Sequence, residues 1–297
     1  PVPELQAVQE ILADLPTHAR YLTFHLRPGI SAARVAATLA ACEVPEGSVV
    51  GIGLPVISLL DGLIPGLRVF PAMTGVGVHM PSTGGALWCW LRGQDRGELL
   101  HQGRALTRQL DGVFELHDVC DGFQFAGGLD LTGYIDGTEN PEGARAAQVA
   151  LIAGKGAGLD GSSFVAVQKW QHDLSAFEAM PQAQQDATIG RRRSDHEELV
   201  EAPKSAHVKR TAQEDFEPEA FLLRRSMPWA EGQQEGLMFV CFINHFDSFE
   251  AIARRMLGLD DGIVDALFEF TQPVSGAYFW CPMVKAGRLD LRALAIP

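Results

Sequence analysis

The sequence predicts an α+β fold in which two similar halves each carry an antiparallel sheet covered by helices. Strand-like and helix-like segments alternate in a β-α-β-β-α-β order, and the same alternation recurs over a similar length in the second half. This order is typical of ferredoxin-like domains. Two such domains packed together would give a structure like the dimeric α+β barrel.

The first half has the clearest alternation. A strand-like segment starts at Arg20, and Ser31–Cys42 has helical periodicity with a serine at the N-cap position. Ala86–Gly93 is again strand-like, and Gln94–Leu110 is helical. Val113–Val119 alternates apolar and polar residues, as expected of a half-buried strand. These segments supply the elements of one α+β unit.

The second half follows the same order. Ser162–Leu174 is strand-like and leads into the helix-prone segment SAFEAMP, and Gly236–His245 is strand-like and leads into FDSFEAIARRML. Between the halves, residues 125–161 are rich in Gly, Pro, Asn and Asp and are therefore irregular. We place the boundary in this region, which gives domains at 1–140 and 141–297. A second polar stretch, Gln182–Glu217, is long enough to suggest a functional loop.

Composition excludes several classes of protein. With 46% hydrophobic and 21% charged residues, the 297-residue chain is an ordinary globular protein. Its apolar runs, such as Val49–Val56, are shorter than the ~18 residues of a membrane-spanning helix. A net charge of −13 opposes binding to nucleic acid or to an anionic membrane surface. The segment PVPELQAVQEILADLP has no secretory leader pattern, so we expect a cytoplasmic protein, although a chain already cleaved has the same appearance.

The five cysteines are scattered through apolar segments and are odd in number. They are Cys42, Cys89, Cys120, Cys241 and Cys281. We expect them to be reduced residues of the core, because they form neither a disulfide framework nor the CxxC pairs of a zinc site.

Three segments resemble the motifs of the dye-decolourising peroxidases, a family of haem enzymes. Gly133–Pro141 (GYIDGTENP) resembles the family's GxxDG signature, Ser205–Thr211 (SAHVKRT) its axial-histidine motif, and Leu222–Trp229 (LLRRSMPW) its distal-arginine strand. Asp-Gly alone is a common tight turn, but the three motifs occur in the family's order. The similarity covers nearly the whole chain and is closest to the compact bacterial, cytoplasmic branch.

The resemblance implies a peroxidase that uses H2O2 to oxidise small aromatic donors, including dyes, in one-electron steps. It implies one haem b per chain, bound mainly by the C-terminal domain, with His207 as the axial iron ligand. Asp136 would move the proton during O–O cleavage, and Arg224 would stabilise the developing negative charge. Ser226, which stands where some relatives carry Asn, would bind peroxide or its water. Whether Asp136 or Arg224 dominates the cleavage is left open.

Two adjacent arginines compete for the distal position. Because successive side chains of a strand point to opposite faces, only one of Arg224 and Arg225 can enter the pocket together with Ser226. This parity favours Arg224, in agreement with the family pattern.

Two further residues are expected to serve the haem. Arg191, in a segment that resembles the family's propionate-binding region, would bind a haem propionate through its guanidinium. Alternatively, the three arginines at 191–193 form only a solvated turn. An acid should hold the other nitrogen of the axial imidazole. Asp265 and Glu269 are four residues apart, as on one helix face, and we favour Glu269.

Two other functions remain open. The chain could carry haem or remove its iron, in the manner of a deferrochelatase, although a carrier has no use for a proton shuttle and a cation. It could also be a haem-free dimeric ferredoxin-like binding module, which would leave the His207 motif without a purpose. The resemblance and the apolar strands further predict a homodimer or a larger homo-oligomer.

Overall fold

Strands and helices alternate along residues 8–297, which are the residues described by this computed structural model. The strands are β1 (His18–Leu26), β2 (Val49–Ile52), β3 (Met73–Gly75), β4 (Val78–Met80), β5 (Leu87–Gly93), β6 (Phe114–Phe123), β7 (Ser163–His172), β8 (Leu223–Arg224), β9 (Met227–Glu231), β10 (Gln234–Ile243), β11 (Thr271–Pro273), β12 (Ala277–Cys281), β13 (Val284–Lys285) and β14 (Arg288–Leu289). The helices are α1 (Ala32–Ala41), α2 (Leu54–Leu59), α3 (Arg96–Leu110), α4 (Gly143–Ala150), α5 (Leu174–Ala179), α6 (Gln182–Ile189), α7 (His207–Arg210) and α8 (Asp247–Met256). Short 3-10 helices span Gln213–Asp215, Ala266–Glu269 and Arg292–Leu294.

One large sheet closes on itself. Its strand order is β11-β7-β12-β2-β5-β1-β6-β9-β10-β8, and β7 also pairs with β10. Strands β7, β12, β2, β5, β1, β6, β9 and β10 therefore form a ring, in which every pairing is antiparallel. Closure removes the free edges that an open sheet would expose. The predicted α+β fold with an antiparallel, barrel-like sheet is confirmed.

The two halves of the chain arrange their strands alike. The first half has the order β6-β1-β5-β2 and the second half has the order β12-β7-β10-β9, so each places its fourth strand beside its first and its third beside its second. The halves join where Gly122 lies opposite Trp229 and where Ile52 lies opposite Trp280. The boundary predicted after residue 140 falls in the loop between β6 and α4. Residues 1–7 of the predicted first domain, which begin the segment PVPELQAVQEILADLP, lie outside the described residues.

Two apolar cores lie on either side of the sheet, and β5 faces both. Leu87, Cys89 and Leu91 belong to the core under the helices, whereas Trp88 and Trp90 belong to the core inside the barrel. Because side chains alternate along a strand, a strand covered on both faces is a continuous apolar run. This explains why the segment at 86–91 does not alternate in sequence.

Local signals placed α1 and α3 correctly, whereas α4 lies in the stretch at 125–161 that was expected to be irregular. The predicted helix at Ser31–Cys42 is confirmed as α1, where the Ser31 side chain accepts a hydrogen bond from the Arg34 N–H at 3.4 Å. Asp95 likewise caps α3 by accepting from the Glu98 N–H at 2.9 Å. Each cap satisfies a main-chain donor that the first helical turn leaves without a partner.

All five cysteines are buried and none is in a disulfide, as predicted. Burial raises the pKa of the Cys120 and Cys241 thiols to about 12, so both are protonated at neutral pH. No group of three or more metal-ligating side chains occurs among residues 8–297. Within the same residues, no helix is both long and apolar enough to traverse a lipid bilayer.

Candidate active site

A largely apolar cavity lies against the outer face of β7 and β10, beneath α8. It encloses about 660 Å³, including the part that opens to solvent. Its apolar walls are formed by Met80, Leu222, Leu237, Phe239, Phe249, Ile252, Ala253, Met256 and Leu267. Three of the side chains singled out in the sequence also line it: Asp136, His207 and Arg224.

His207 enters this cavity from the start of α7, and a buried carboxylate holds its ring. Its Nδ1 lies 2.8 Å from Asp265 Oδ2, and the Asp265 side chain is fully buried. Asp265 Oδ1 accepts a second hydrogen bond, from the Leu267 N–H at 2.9 Å. Because the carboxylate accepts from Nδ1, the lone pair of Nε2 is left available to a ligand in the cavity.

The preference for Glu269 as this partner is corrected. Glu269 is exposed, and the segment around it is a 3-10 helix, Ala266–Glu269, with Asp265 as its N-cap. Residues four apart share a face only in a longer α-helix. Capping buries Asp265 beneath His207 and leaves Glu269 in solvent.

Arg210 anchors the short helix that carries His207. It donates to Asp261 through two nitrogens, each at 2.7 Å, and to the Arg255 carbonyl oxygen at 2.6 Å. The Arg210 side chain is 5% exposed. These bonds fix α7 to the end of α8, which orients the imidazole in a helix of a single turn.

Asp136 and Arg224 form an acid–cation pair in the same cavity. Arg224 Nη1 lies 3.7 Å from Asp136 Oδ1. Arg224 Nε is buried and has no hydrogen-bond partner among the described residues. A permanent cation with an unused donor beside a carboxylate can bind a small polar ligand and stabilise negative charge on it.

The strand parity argument agrees with the observed positions of the two arginines. Arg224 lines the cavity, whereas Arg225 turns away and donates to the carbonyl oxygens of Ala13 and Leu12 at 3.0 and 3.2 Å. Ser226 lies in an adjoining smaller pocket of about 470 Å³, which Asp136 and Arg224 also line. Its Oγ accepts from the Val240 N–H at 3.3 Å.

The backbone conformation of the GxxDG motif explains why both of its terminal positions are glycine. Gly133 and Gly137, which flank Asp136, have φ values of 84° and 76°, a region that other residues rarely adopt. At Gly133 a Cβ would also lie 2.6 Å from a guanidinium nitrogen of Arg193. The motif therefore fixes the turn that presents Asp136.

Asn140, which the sequence analysis did not single out, clamps Arg224. Its Oδ1 accepts from the Arg224 N–H at 2.8 Å, and its Nδ2 donates to the Arg224 carbonyl oxygen at 3.0 Å. Buried Gln213 acts similarly, donating to the Glu139 carbonyl oxygen and accepting from the Leu222 N–H. Asn140 lies inside the GYIDGTENP motif, which was the available signal, whereas nothing in the sequence pointed to Gln213.

Arg191 lies in a polar pocket that adjoins the main cavity. This pocket measures about 1080 Å³ and is also lined by Asp136, His207 and Arg224. Arg191 is 11% exposed and donates to the His196 carbonyl oxygen at 3.1 Å and to Glu139 Oε1 at 3.3 Å. The alternative of a solvated turn does describe Arg192, which pairs with Asp195 at the surface.

The site can hold a metal ion only if the ion brings ligands of its own. His207 faces largely apolar walls, and among the described residues it belongs to no group of three or more side chains that could hold a metal ion. A metal bound here by one imidazole would need its other donors from a cofactor, as in haem.

Comparisons with known proteins show which family and fold this chain resembles. A family model described as "Dyp-type peroxidase, C-terminal" matches residues 128–286. A protein of Rhodococcus erythropolis named "Dye-decolorizing peroxidase" is 30% identical over 285 residues, which cover 93% of this chain and 79% of that protein.

Solved structures share the whole fold. A Dyp-type peroxidase protein from Shewanella oneidensis superposes with a TM-score of 0.87 at 27% identity, covering 97% of both chains. A DypB variant from Rhodococcus jostii RHA1, solved in complex with haem, has a TM-score of 0.84 at 25% identity and covers 92% of this chain and 95% of that one.

Proposed function

Since this chain belongs to the Dyp-type peroxidase family and is a haem peroxidase, we propose that Asp136 and Arg224 carry out peroxide cleavage while His207 ligates the haem iron. The observation that best supports this proposal is that these three side chains line one cavity. Asp136 and Arg224 lie 3.7 Å apart in the cavity that His207 also enters. A family resemblance alone does not require these three side chains to meet.

The residues present fit a haem. Apolar walls suit the faces of a porphyrin, and the Nε2 of His207 is available because Asp265 holds Nδ1. Arg191, in the adjoining polar pocket, is the proposed partner of a propionate, for which it would exchange its 3.3 Å contact with Glu139. When bound, the haem supplies the iron at which peroxide is cleaved.

The chain's own residues would handle the protons and charge. Asp136 would accept a proton from one peroxide oxygen and deliver it to the other, which leaves as water. Arg224 would stabilise the charge that develops on the leaving oxygen. Ser226 lines the adjoining pocket rather than the main cavity. From that position its hydroxyl would hydrogen-bond to peroxide or to its water. Each H2O2 takes up two electrons and two protons, so two donor molecules are each oxidised by one electron.

Small aromatic molecules and dyes are the proposed donors.

The shared strand order of the two halves also supports the proposal that the halves are two ferredoxin-like units, with the cofactor mainly in the second unit.

Haem reconstitution followed by rapid mixing with H2O2 tests the function. The reconstituted protein should have a Soret band that changes on mixing with peroxide and returns as a dye is oxidised. A haem carrier would bind haem without a rapid peroxide reaction. A haem-free binding module would give no stoichiometric Soret band.

A further inference from the structure

A buried histidine outside the proposed cleavage machinery holds the segment that carries Asp136. His172 ends β7, and its side chain is 5% exposed. Its Nε2 lies 3.1 Å from Asp130 Oδ1, and its Nδ1 lies 2.6 Å from Thr271 Oγ1. The imidazole therefore connects the loop before α4 to β11, two segments that are far apart in sequence.

Asp130 is held as a carboxylate. Its Oδ2 accepts from the Thr132 N–H at 2.9 Å and from the Thr132 hydroxyl at 2.6 Å, while Oδ1 faces His172. Burial raises the pKa of Asp130, but the hydrogen bond and charge of His172 and the two Thr132 donors outweigh it and lower the pKa below its ordinary value. A carboxylate can only accept, so Nε2 of His172 donates to it.

The other ring nitrogen of His172 also has a partner. Its Nδ1 lies 2.6 Å from the Thr271 hydroxyl oxygen, and this hydroxyl also bonds to the Gln171 carbonyl oxygen at 2.9 Å. Both ring nitrogens of His172 and both carboxylate oxygens of Asp130 therefore have hydrogen-bond partners, as buried polar groups require.

Asp130 begins the turn of a short hairpin that ends at Asp136. The arms of this 128–136 hairpin pair through Leu129 and Ile135, and the Asp136 N–H donates to the Gly128 carbonyl oxygen at 3.3 Å. Two further main-chain hydrogen bonds of 2.8 and 2.9 Å close the turn. A displacement of Asp130 is therefore transmitted to Asp136. Both carboxylates also line one pocket.

We propose that His172 is a positioning residue for the peroxide reaction, which holds Asp130 and thereby fixes the 128–136 hairpin so that Asp136 faces Arg224. This role rests on the proposed function of Asp136. His172 acts through the hairpin and touches no reacting atom. The main chain of Arg224 is held by Asn140, which lies beyond the hairpin, so loss of His172 should disturb Asp136 more than Arg224.

The test compares His172→Leu with His172→Gln in the haem-loaded protein. Leucine deletes both donors, whereas the Gln amide keeps an N–H that can reach Asp130. Since misplacement by about 1 Å can cost on the order of 100-fold in rate, we expect His172→Leu to lower the second-order rate with H2O2 at least ~10-fold. His172→Gln should restore most of that rate. The isosteric Thr271→Val keeps the contact of His172 with Asp130 but removes the hydroxyl that bonds to Nδ1 and to the Gln171 carbonyl oxygen. It provides a milder variant should His172→Leu fail to fold, and a smaller loss is expected from it.

Two readouts separate positioning from general destabilisation. In the Asp136→Asn background, His172→Leu or Thr271→Val should cause no further loss of rate, because residues that act through one group are non-additive. Amide hydrogen exchange should quicken at Asp130 and Asp136 in the variants but not at Arg210 or Thr211, beside the axial histidine.

Equal losses of the rate with H2O2 in the wild-type and Asp136→Asn backgrounds would overturn the positioning role while the peroxidase function stands. Unchanged amide exchange in the hairpin would do the same. A wild-type protein that loads haem yet does not react with H2O2 would instead overturn the proposed function, and the positioning role with it.

Discussion

Replacing Asp265 by Asn should weaken haem binding by changing which nitrogen of His207 carries the proton. Asp265 Oδ1 accepts from the Leu267 N–H, and Oδ2 accepts from His207 Nδ1 at 2.8 Å. If the Asn carbonyl oxygen keeps the Leu267 contact, its NH2 group faces Nδ1. Two donors cannot bond to each other, so the proton would move to Nε2 and remove the lone pair that iron requires.

The size of the effect follows from the geometry. A hydrogen bond to a charged partner contributes about 1.5–3 kcal/mol, and the Asp265 side chain has no exposure through which water could replace it. At 1.4 kcal/mol for each factor of ten, Asp265→Asn should weaken haem binding roughly 10- to 100-fold, the range typical of residues that support a metal ligand.

Haem titration into apoprotein, followed at the Soret band, measures this change. Glu269→Gln is the matched control, because it makes the same carboxylate-to-amide change four residues away on an exposed side chain. Affinity within about twofold of wild type is expected for Glu269→Gln, well below one factor of ten. The reasoning is refuted if Asp265→Asn binds haem as wild type does, or if Glu269→Gln loses as much affinity.

Three further predictions concern the cofactor, the cleavage step and assembly. His207→Ala should lose stoichiometric haem, and its melting temperature should fall towards that of wild-type apoprotein because bound haem stabilises the folded state by mass action; an unchanged spectrum would place the axial ligand elsewhere. Asp136→Asn and Arg224→Leu should each slow the reaction with H2O2 in rapid mixing, and a wild-type rate for Asp136→Asn alone would assign the cleavage to arginine. We also expect a homo-oligomer, since side chains such as Val76 and Leu63 are 89% and 76% exposed; sedimentation of a monomer alone at micromolar concentration would contradict this.

Elements such as α1 and α3 were readable from local sequence, but α4 and the closure of the barrel were not. The cap at Ser31 and the periodicity of Ser31–Cys42 depend on neighbouring residues, so they identify α1 without knowledge of the rest of the chain. Barrel closure depends instead on pairs such as Ile52 with Trp280, which are distant in sequence. A pattern of apolar residues marks a strand as buried but does not specify its neighbour.

The residues of the site differ in the same way, since local motifs identified some of them and not others. Short motifs identified Asp136, His207 and Arg224, because neighbouring residues determine the turn, helix or strand that presents each of them. The partner of His207 was misjudged because the choice of Glu269 over Asp265 needed the helix type of that segment, and a 3-10 turn capped by its own acid reverses the preference.

The positions of the supporting residues explain why the two sides of the cavity can be varied separately. His207 depends on Asp265 and on the Arg210–Asp261 pair, all within the second half of the chain. Asp136 lies on a hairpin in the loop between β6 and α4, where its proposed support comes from His172 at the end of β7. The contacts that orient the iron ligand therefore differ from those that orient the acid. Changes at Asp265 should alter haem affinity first, whereas changes at His172 should alter the peroxide rate with haem still bound, and this contrast distinguishes a peroxidase from a protein that only carries haem.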